Sequence, residues 1–563
     1  MSVRPSDYPP PWSPAEAIQP PIDPADERIE VGFLIVGAGP AGLAAAIRLG
    51  QLAADDPGTA ERLGDVPVAV LEKGKTPGSH LLSGAVVNPR GLQRLFPGRP
   101  MTELPFYEPV EAESVLFLTR RRALRIPTPP TMVNDRNYVA SLSGLGRFLA
   151  GEAEELGTTI LPETTADKLL VDGGRVLGVR TGDRGRGRNG EELPNFEPGS
   201  DITARVTILA EGTQGHLTGA ALERFGLRGE HPQVWALGVK EVWKVAKPLD
   251  RVIHTMGWPL RPGKRYREFG GSFVYPMGDD MVTIGMVVGL DYTDSALSVH
   301  DLLQELKTHP RMRRILEGGE RVQWGAKTIP EGGFVALPKR FHAPGLLLTG
   351  DGVGLVNVPA LKGIHYAIES GRLAAEAAWR TLERGQSART ALAGYDESLR
   401  ESFLWRDLRE VRNMRQAFGH GFYVGGALAG AMTATKGKFP PGDSKTERDA
   451  EQRIVTTDRA KSYPAPDGTL TFDKLSSVFA SGNRTRDDQP NHIRIQTKVP
   501  RELAELWVHL CPAQVYEIGE PDGEGTVEVK LAPSNCVQCG AITAKGGRLT
   551  VPEGGSGPEY TLT

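Results

Sequence analysis

The stretch VGFLIVGAGPAGLAAAIRLG, residues 31–50, leaves few folds open to this chain. An apolar β-type run enters a turn carrying Gly37, Gly39 and Gly42, and an alanine-rich helix follows at once. Strand, tight turn and helix come in the order that a dinucleotide-binding unit requires. Gly37 permits the sharp turn, Gly39 removes the Cβ that would block a pyrophosphate, and Gly42 lets helix and strand pack closely while the helix N-terminus faces the phosphates. A glycine turn between any strand and helix can look similar, so the motif needs company. VPVAVLEKG provides it, as a second apolar strand ending at Glu72, where a carboxylate can accept hydrogen bonds from an adenosine ribose. The interval from Gly42 to Glu72 exceeds the usual ~20 residues, and AADDPGTAERLGDVP reads as a polar insertion that accounts for the excess.

Two later segments favour FAD over NAD. ARVTILAEGTQG, residues 204–215, is another apolar strand running into a glycine-containing turn. PGLLLTGDGVGLVNVPALKGIHYAIESGRLAAEAAW is a strand, then Gly350-Asp351, then glycines leading into a long helix. Asp351 can bind ribityl hydroxyls, and the helix N-terminus can bring positive dipole to the flavin edge where negative charge grows on reduction. Gly-Asp is also a common turn dipeptide; the order of the segments along the chain carries the flavin reading.

At 563 residues the chain exceeds the size at which one core stops growing, which implies two or three domains. With 66 basic against 69 acidic residues, nothing points to nucleic acid as a partner. The first 29 residues are rich in proline and acids, lack an apolar run, and read as an extended arm rather than a signal peptide. No stretch approaches the ~20 apolar residues that span a bilayer. The nearest, FGHGFYVGGALAGAMTATKGK at 418–438, is suited to dip into a membrane and not to cross one.

Only three cysteines occur: Cys511 in HLCPAQVYE, and Cys536 and Cys539 in SNCVQCGAITAKGG. A C-x2-C pair grips an iron–sulfur cluster or zinc, and so few thiols suggest a metal or redox site in a reducing compartment rather than a disulfide scaffold. A further C-x2-C step would place a fourth ligand at 542, where the chain has isoleucine.

These segments resemble one family, the electron transfer flavoprotein-ubiquinone oxidoreductases, monotopic flavoproteins with a C-terminal iron–sulfur cluster. LEKGKTPGSHLLSGAVVNPRGLQRLFP is similar to the family's segment after the second strand, FGGSFVYPM to its quinone-site segment, and LVNVPALKGIHYAIESG to its flavin-covering helix. LSSVFASGNRTRDDQPNHIRI, CPAQVYE, NCVQC and VPEGGSGPEY are similar to its cluster region. The resemblance runs from about Val31 to the C-terminus.

It implies a glutathione-reductase-type, Rossmann-like FAD domain of α/β class (α+β overall), with an inserted β-rich quinone-binding domain and a C-terminal ferredoxin-like iron–sulfur domain. The expected layout is an arm at 1–29; an FAD domain from 30–90, 140–235 and 325–400; a quinone and membrane-facing domain from 91–139 and 236–324; a helical membrane-surface segment at 401–439; and a cluster domain at 440–563. Segment 182–200, charged and glycine-rich, reads as a surface loop.

The resemblance also implies roles. Lys73, Ser83 and Gly84 join Gly37, Gly39, Gly42, Glu72, Gly350 and Asp351 in binding FAD. Asn357 gives a tuning hydrogen bond to the flavin or caps the helix that follows. Gly270 and Gly271 line the quinone headgroup with backbone, although a glycine pair also relieves crowding in a strand. No side chain acts as a nucleophile. Electron transfer flavoprotein is the implied donor, and a membrane quinone the acceptor. Membrane contact is implied for GLQRLFPGRP, through Leu92, Leu95 and Phe96, and for 418–438 flanked by Arg409, Arg412, Arg415, Lys436 and Lys438, although on its residues alone each segment also reads as an ordinary buried helix or loop. The place implied is the cytoplasmic face of a bacterial inner membrane.

The family's tail pattern C-x24-C-x2-C-x2-C binds a 4Fe-4S cluster. This chain matches it at Cys511, Cys536 and Cys539 and departs at Ile542. Three thiolates satisfy a 3Fe-4S cluster, which is favoured here over a 4Fe-4S cluster with a solvent ligand, over zinc, and over a site without metal. The rival readings of the whole chain are an FAD-dependent polyprenyl reductase or hydroxylase, and a silent flavin-binding docking protein.

Overall fold

A computed structural model of the chain describes residues 3–22, 27–263, 265–278, 280–383, 387–455, 461–521 and 525–563. The glycine motif lies where its sequence demands. Strand Ile29–Val36 leads through Gly37 into helix Pro40–Asp55, and the apolar run of the strand is buried. That strand pairs in parallel with Val68–Leu71 on one side and Asp201–Leu209 on the other. Thr159–Leu161 and Leu346–Leu348 extend the parallel sheet outward. Parallel strands buried on both faces read as continuous apolar runs, as VAVL and LLL do here.

Helices Pro40–Asp55 and Ile364–Arg380 pack against each other with exceptional closeness. A Cβ on Gly371 would sit 1.9 Å from the Ala41 carbonyl oxygen, so only glycine allows this contact. Both helices thereby direct their N-termini at the same space.

A second, seven-stranded sheet has the order 320–330, 235–244, 281–289, 270–276, 252–257, 113–118, 123–126. Strand Glu320–Pro330 pairs antiparallel with Trp235–Lys244 over its whole length, so residue 325, where the sequence suggested that the chain returns to the FAD domain, is mid-strand in this sheet. The tail adds helix Arg501–Leu510 on a three-stranded sheet. Its core is continuous with that of the seven-stranded sheet: Trp243, Trp324, Trp507, Cys511, Cys536 and Ile542 belong to one apolar cluster. The N-terminal arm is tied down, with Ile18–Gln19 paired in parallel to Leu169–Leu170 and Arg548 stacked 3.6 Å over Trp12.

Two expectations are corrected. Leu92 and Leu95 are fully buried in the core of the parallel-sheet layer, because helix Arg90–Leu95 packs on Ile364–Arg380; they present nothing to lipid. Segment 182–200 is not a plain loop, since Arg184–Arg186 and Glu192–Glu197 form a small hairpin.

Candidate functional site

One cavity of about 340 Å³ opens at the carboxyl ends of the parallel strands, where open α/β sheets bind ligands. Gly37, Gly39, Glu72, Lys73, Ser83, Gly84, Gly350 and Asp351, all expected from sequence, line it. At Gly37, φ is +104° and a Cβ would lie 2.5 Å from the Ala210 carbonyl oxygen. A Cβ on Gly42 would lie 2.0 Å from the Gly37 oxygen, so Gly42 serves packing behind the cavity rather than its wall. On Gly39 the nearest atom to a Cβ would be 3.7 Å away, and the space beside that backbone belongs to the cavity. Glu72 Oε2 accepts from Ala38 N at 3.0 Å and Oε1 from Gly74 N at 2.7 Å, which holds the carboxylate beside the glycine turn. Asp351 lines the same cavity, and burial pushes its carboxyl up to about 6. With helix N-termini at Gly39 and Gly363 on the same cavity, the donor set suits an anionic dinucleotide, and these residues fit FAD.

Asn357 is not in this wall. Its Oδ1 accepts from Ala360 N at 3.0 Å and its Nδ2 donates to the Tyr366 hydroxyl at 3.3 Å, so the side chain is engaged in a turn between Val356 and Val358, which do line the cavity. Gly270 and Gly271 also lie off the wall. Cβ atoms there would meet the carbonyl oxygens of Val287 and Thr255 at 2.0 and 2.5 Å, so close strand packing already requires both glycines.

Sequence reasoning missed the polar groups that the seven-stranded sheet contributes: Lys240, Tyr275 and Lys327. The only signal was a lone lysine inside the apolar strand WALGVKEVW. Lys240 Nζ donates to the carbonyls of Ser83 at 2.7 Å and Gly84 at 3.0 Å, and burial brings its pKa down to about 7.

All three cysteines face a second, small cavity of about 20 Å³, together with Tyr516, Val537 and Ile542. Cys511 ends helix Arg501–Leu510, and its Sγ accepts from Ala513 N at 3.4 Å and Val515 N at 3.5 Å. Cys536 Sγ accepts from Gln538 N at 3.4 Å. Gly540, with φ +85°, turns the chain into the short helix Ala541–Ala544 and so brings Ile542 to the cavity, 5% exposed. Burial pushes all three thiols up, Cys539 to about 12 and Cys536 further, which a bound metal would offset. Among the described residues no group of three or more His, Cys, Asp or Glu side chains is placed to hold a single metal ion. Three thiols spread round one cavity, with backbone N–H groups directed at sulfur, fit a cluster instead.

The two cavities share a wall. Gly540, at the exit of the C-x2-C loop, and Leu549 line both, and Gln538 within the loop lines the large one. Gln538 accepts from Lys73 Nζ at 2.6 Å through Oε1 and from Lys327 Nζ at 3.1 Å through its carbonyl, while Thr328 N donates to the Cys539 carbonyl at 2.8 Å.

Away from both cavities, helix Phe422–Ala434 leaves Tyr423 69% and Val424 54% exposed. Lys436, Lys438 and Arg409 are exposed beside it. Arg415 is not a surface cation: it is buried, with Nε 2.8 Å from Glu331 and Nη2 2.8 Å from Asp291. No helix among the described residues is long and apolar enough to cross a membrane.

Two family models match the chain: an ETF-QO ubiquinone-binding model over residues 235–329 and an electron transfer flavoprotein-ubiquinone oxidoreductase 4Fe-4S model over residues 468–561. The mitochondrial electron transfer flavoprotein-ubiquinone oxidoreductase of Arabidopsis thaliana is 41% identical, over 95% of this chain and 85% of its own. The electron transfer flavoprotein-ubiquinone oxidoreductase of Pseudomonas aeruginosa is 36% identical, over 95% and 99% respectively. A solved structure of a geranylgeranyl bacteriochlorophyll reductase-like protein from Thermoplasma acidophilum superposes with a TM-score of 0.53 at 17% identity, covering 73% of this chain and 92% of the other, and supports the fold alone. Full-length identity to such relatives, both matched segments, and a cysteine cavity backed onto a dinucleotide cavity agree: the chain belongs to the electron transfer flavoprotein-ubiquinone oxidoreductase family.

Proposed function

We propose that this chain takes electrons from reduced electron transfer flavoprotein and passes them, by way of a cysteine-bound iron–sulfur cluster and FAD, to a membrane quinone. The shared wall formed by Gly540 and Leu549 carries this reading, because two redox groups must lie close together for electrons to pass between them. FAD, when bound, supplies the exchange of either one electron or two, which a one-electron donor and a two-electron acceptor together require.

The residues bind and orient. Gly37 and Gly39 take the pyrophosphate at the helix N-terminus, Glu72 the ribose with Lys73 beside it, and Asp351 the ribityl chain. Gly350, Ser83 and Gly84 close round the ring, while Gly42 maintains the packing behind them. Gly270 and Gly271, at the start of the central strand of the seven-stranded sheet, border the quinone headgroup, and Asn357 holds the turn whose Val356 and Val358 face the flavin. Cys511, Cys536 and Cys539 hold the cluster. Isoleucine at 542 favours the 3Fe-4S form, since its side chain cannot ligate iron. The apolar, exposed face of Phe422–Ala434, with Lys436 and Lys438, rests on the lipid surface at the cytoplasmic face of a bacterial inner membrane. The divisions of the chain follow the same lines, with the FAD layer, the quinone sheet and the cluster tail each supplying one wall.

Mixing the holoenzyme with reduced electron transfer flavoprotein and a soluble quinone tests the reading. Oxidation of the donor should proceed only while quinone remains. Absence of quinone-dependent turnover with FAD bound would favour a silent docking protein.

A further inference from the structure

One face of the seven-stranded sheet floors the flavin cavity, with three polar groups set into it: Lys240, Tyr275 and Lys327, the last donating to the Gln538 carbonyl beside the cysteine loop. Lys240 is directly opposite Gly285, Gly285 opposite Phe273, and Phe273 opposite His254, so these residues share one face. Tyr275, two residues beyond Phe273, shares it too. Gly238, Lys240, Phe273, Tyr275 and Val287 line the cavity. Gly285 keeps the floor low: a Cβ there would lie 2.3 Å from the Phe273 ring, which covers that position.

Lys240 is 1% exposed, and its ammonium has three hydrogens, two of them bound by the carbonyls of Ser83 and Gly84. No carboxylate is bonded to it among the described residues. The Tyr275 hydroxyl lies 2.7 Å from His254 Nε2, and both residues are buried. His254 Nδ1 has no partner among the described residues. An orphaned buried N–H is rarer than an orphaned acceptor, so Nδ1 carries the lone pair and Nε2 the hydrogen. Burial and the neighbouring Lys362 charge bring the imidazole down to about 3, which keeps it neutral with one hydrogen only. Nε2–H then donates to the Tyr275 oxygen, and the phenol hydrogen is left free to turn toward the cavity.

We propose that Lys240 and Tyr275 are two hydrogen-bond donors offered by this floor to the oxygen-bearing edge of a planar redox ring, with His254 as the positioning residue that turns the Tyr275 hydrogen inward. The ring chemistry is that of a conjugated dicarbonyl whose oxygens gain negative charge on reduction. Both a flavin and a quinone headgroup have it, and a donor fixed in a buried wall favours the reduced ring over the oxidised one. This deepens the proposed function and rests on its assignment of the cavity to FAD.

The test uses FAD-loaded protein and a chemical reductant, so its outcome does not depend on electron transfer flavoprotein. Tyr275→Phe removes one oxygen and keeps the ring; Lys240→Met removes the charge; Lys240→Gln keeps a donor should the methionine variant fail to fold. If the flavin is the ring addressed, Lys240→Met weakens the preference for reduced over oxidised flavin about tenfold, a fall of about 30 mV in the two-electron midpoint potential, and Tyr275→Phe lowers it several-fold. If the quinone is addressed, the flavin potential stays put and the KM for a soluble quinone rises by those factors. His254→Gln, which retains an N–H donor, should behave more like wild type than His254→Phe, which should match Tyr275→Phe. A flavin potential, flavin absorption spectrum and quinone KM within twofold of wild type for both Tyr275→Phe and the Lys240 variant would overturn the proposal. Loss of donor turnover in the wild-type protein with these shifts intact would instead overturn the proposed function and leave the floor donors standing.

Discussion

Lys73 Nζ stands 2.6 Å from Gln538 Oε1, joining the residue after the Glu72 carboxylate to the middle of the C-x2-C loop. Gln538 also donates through Nε2 to the Ser556 carbonyl at 3.0 Å and takes a positive φ of 52°. A strained, four-way-bonded residue between two cysteines fixes the separation of the two cavities.

Gln538→Leu should therefore disturb both sites at once. It leaves Lys73 and the Ser556 carbonyl without their partner, a loss of roughly 2 kcal/mol for a buried bond to a charged group. Thermal unfolding should fall accordingly, and both FAD and iron should be lost faster on dialysis than from wild type. Leucine that weakens iron retention while leaving FAD retention untouched would show that the bridge does not couple them.

The proposed 3Fe-4S form predicts that one substitution at Ile542 switches the cluster type. It is buried in the wall of the cysteine cavity, in a helix started by Gly540. Freshly purified wild-type protein should give a low-temperature paramagnetic signal in its oxidised state. Ile542→Cys should shift that intensity to a signal seen only after reduction, with iron per FAD rising from about three to about four, at a stability cost of about 1–2 kcal/mol for the shortened side chain. An oxidised-state signal that persists unchanged in the cysteine variant counts against Ile542 as the cause of the 3Fe-4S form.

The glycine turn, both flavin strands and the three thiols were legible because local rules dictate them. A φ of +104° at Gly37 and the 2.0 Å approach of Gly42 to the Gly37 oxygen leave no other residue, and C-x2-C is itself a metal-ligand spacing. What was not legible depends on strand register. Lys240 and Tyr275 reach the cavity only because residues thirty-five apart in sequence share one face of a sheet, and no short-range pattern encodes which strands become neighbours. Leu92 and Arg415 were misread for the converse reason. An apolar residue beside arginines has the composition of a membrane edge, yet packing against Ile364–Arg380 buries the first, and Asp291 and Glu331, far along the chain, enclose the second.

Asp351 is held at a cost to the empty protein. Burial raises its carboxyl from the ordinary 3.8 to about 6, so the unfolded chain ionises first as pH rises. Stability is unaffected by this group below the unfolded value, falls as pH climbs between roughly 4 and 6, and stays lower by about 3 kcal/mol above that. Asp351→Asn should make FAD-free protein more stable at pH 7 and equal to wild type at pH 3.5, measured by denaturant unfolding. The same substitution should weaken FAD binding at least tenfold. Equal stability of the two proteins at pH 7 would remove the carboxylate from its assigned role.

Helix Phe422–Ala434 exposes Tyr423 and Val424 with basic neighbours Lys436 and Lys438, an arrangement that suits the proposed contact with lipid. Fully burying a side chain of this size contributes about 1.5–3 kcal/mol, so the double substitution Tyr423→Ser and Val424→Ser should weaken binding to vesicles on the order of tenfold or more, since every 1.4 kcal/mol is a factor of about ten. Both side chains are exposed in the free protein, and the change in unfolding stability should stay within about 0.5 kcal/mol. Replacing Lys436 and Lys438 by glutamine should act differently, weakening binding to anionic vesicles at low salt and having little effect at high salt, where headgroup attraction is screened. Turnover of a soluble quinone analogue should survive both pairs of substitutions, whereas turnover of a long-tailed quinone held in vesicles should drop with the apolar pair. Vesicle co-sedimentation that is indifferent to the serine pair would mean that some other surface meets the lipid.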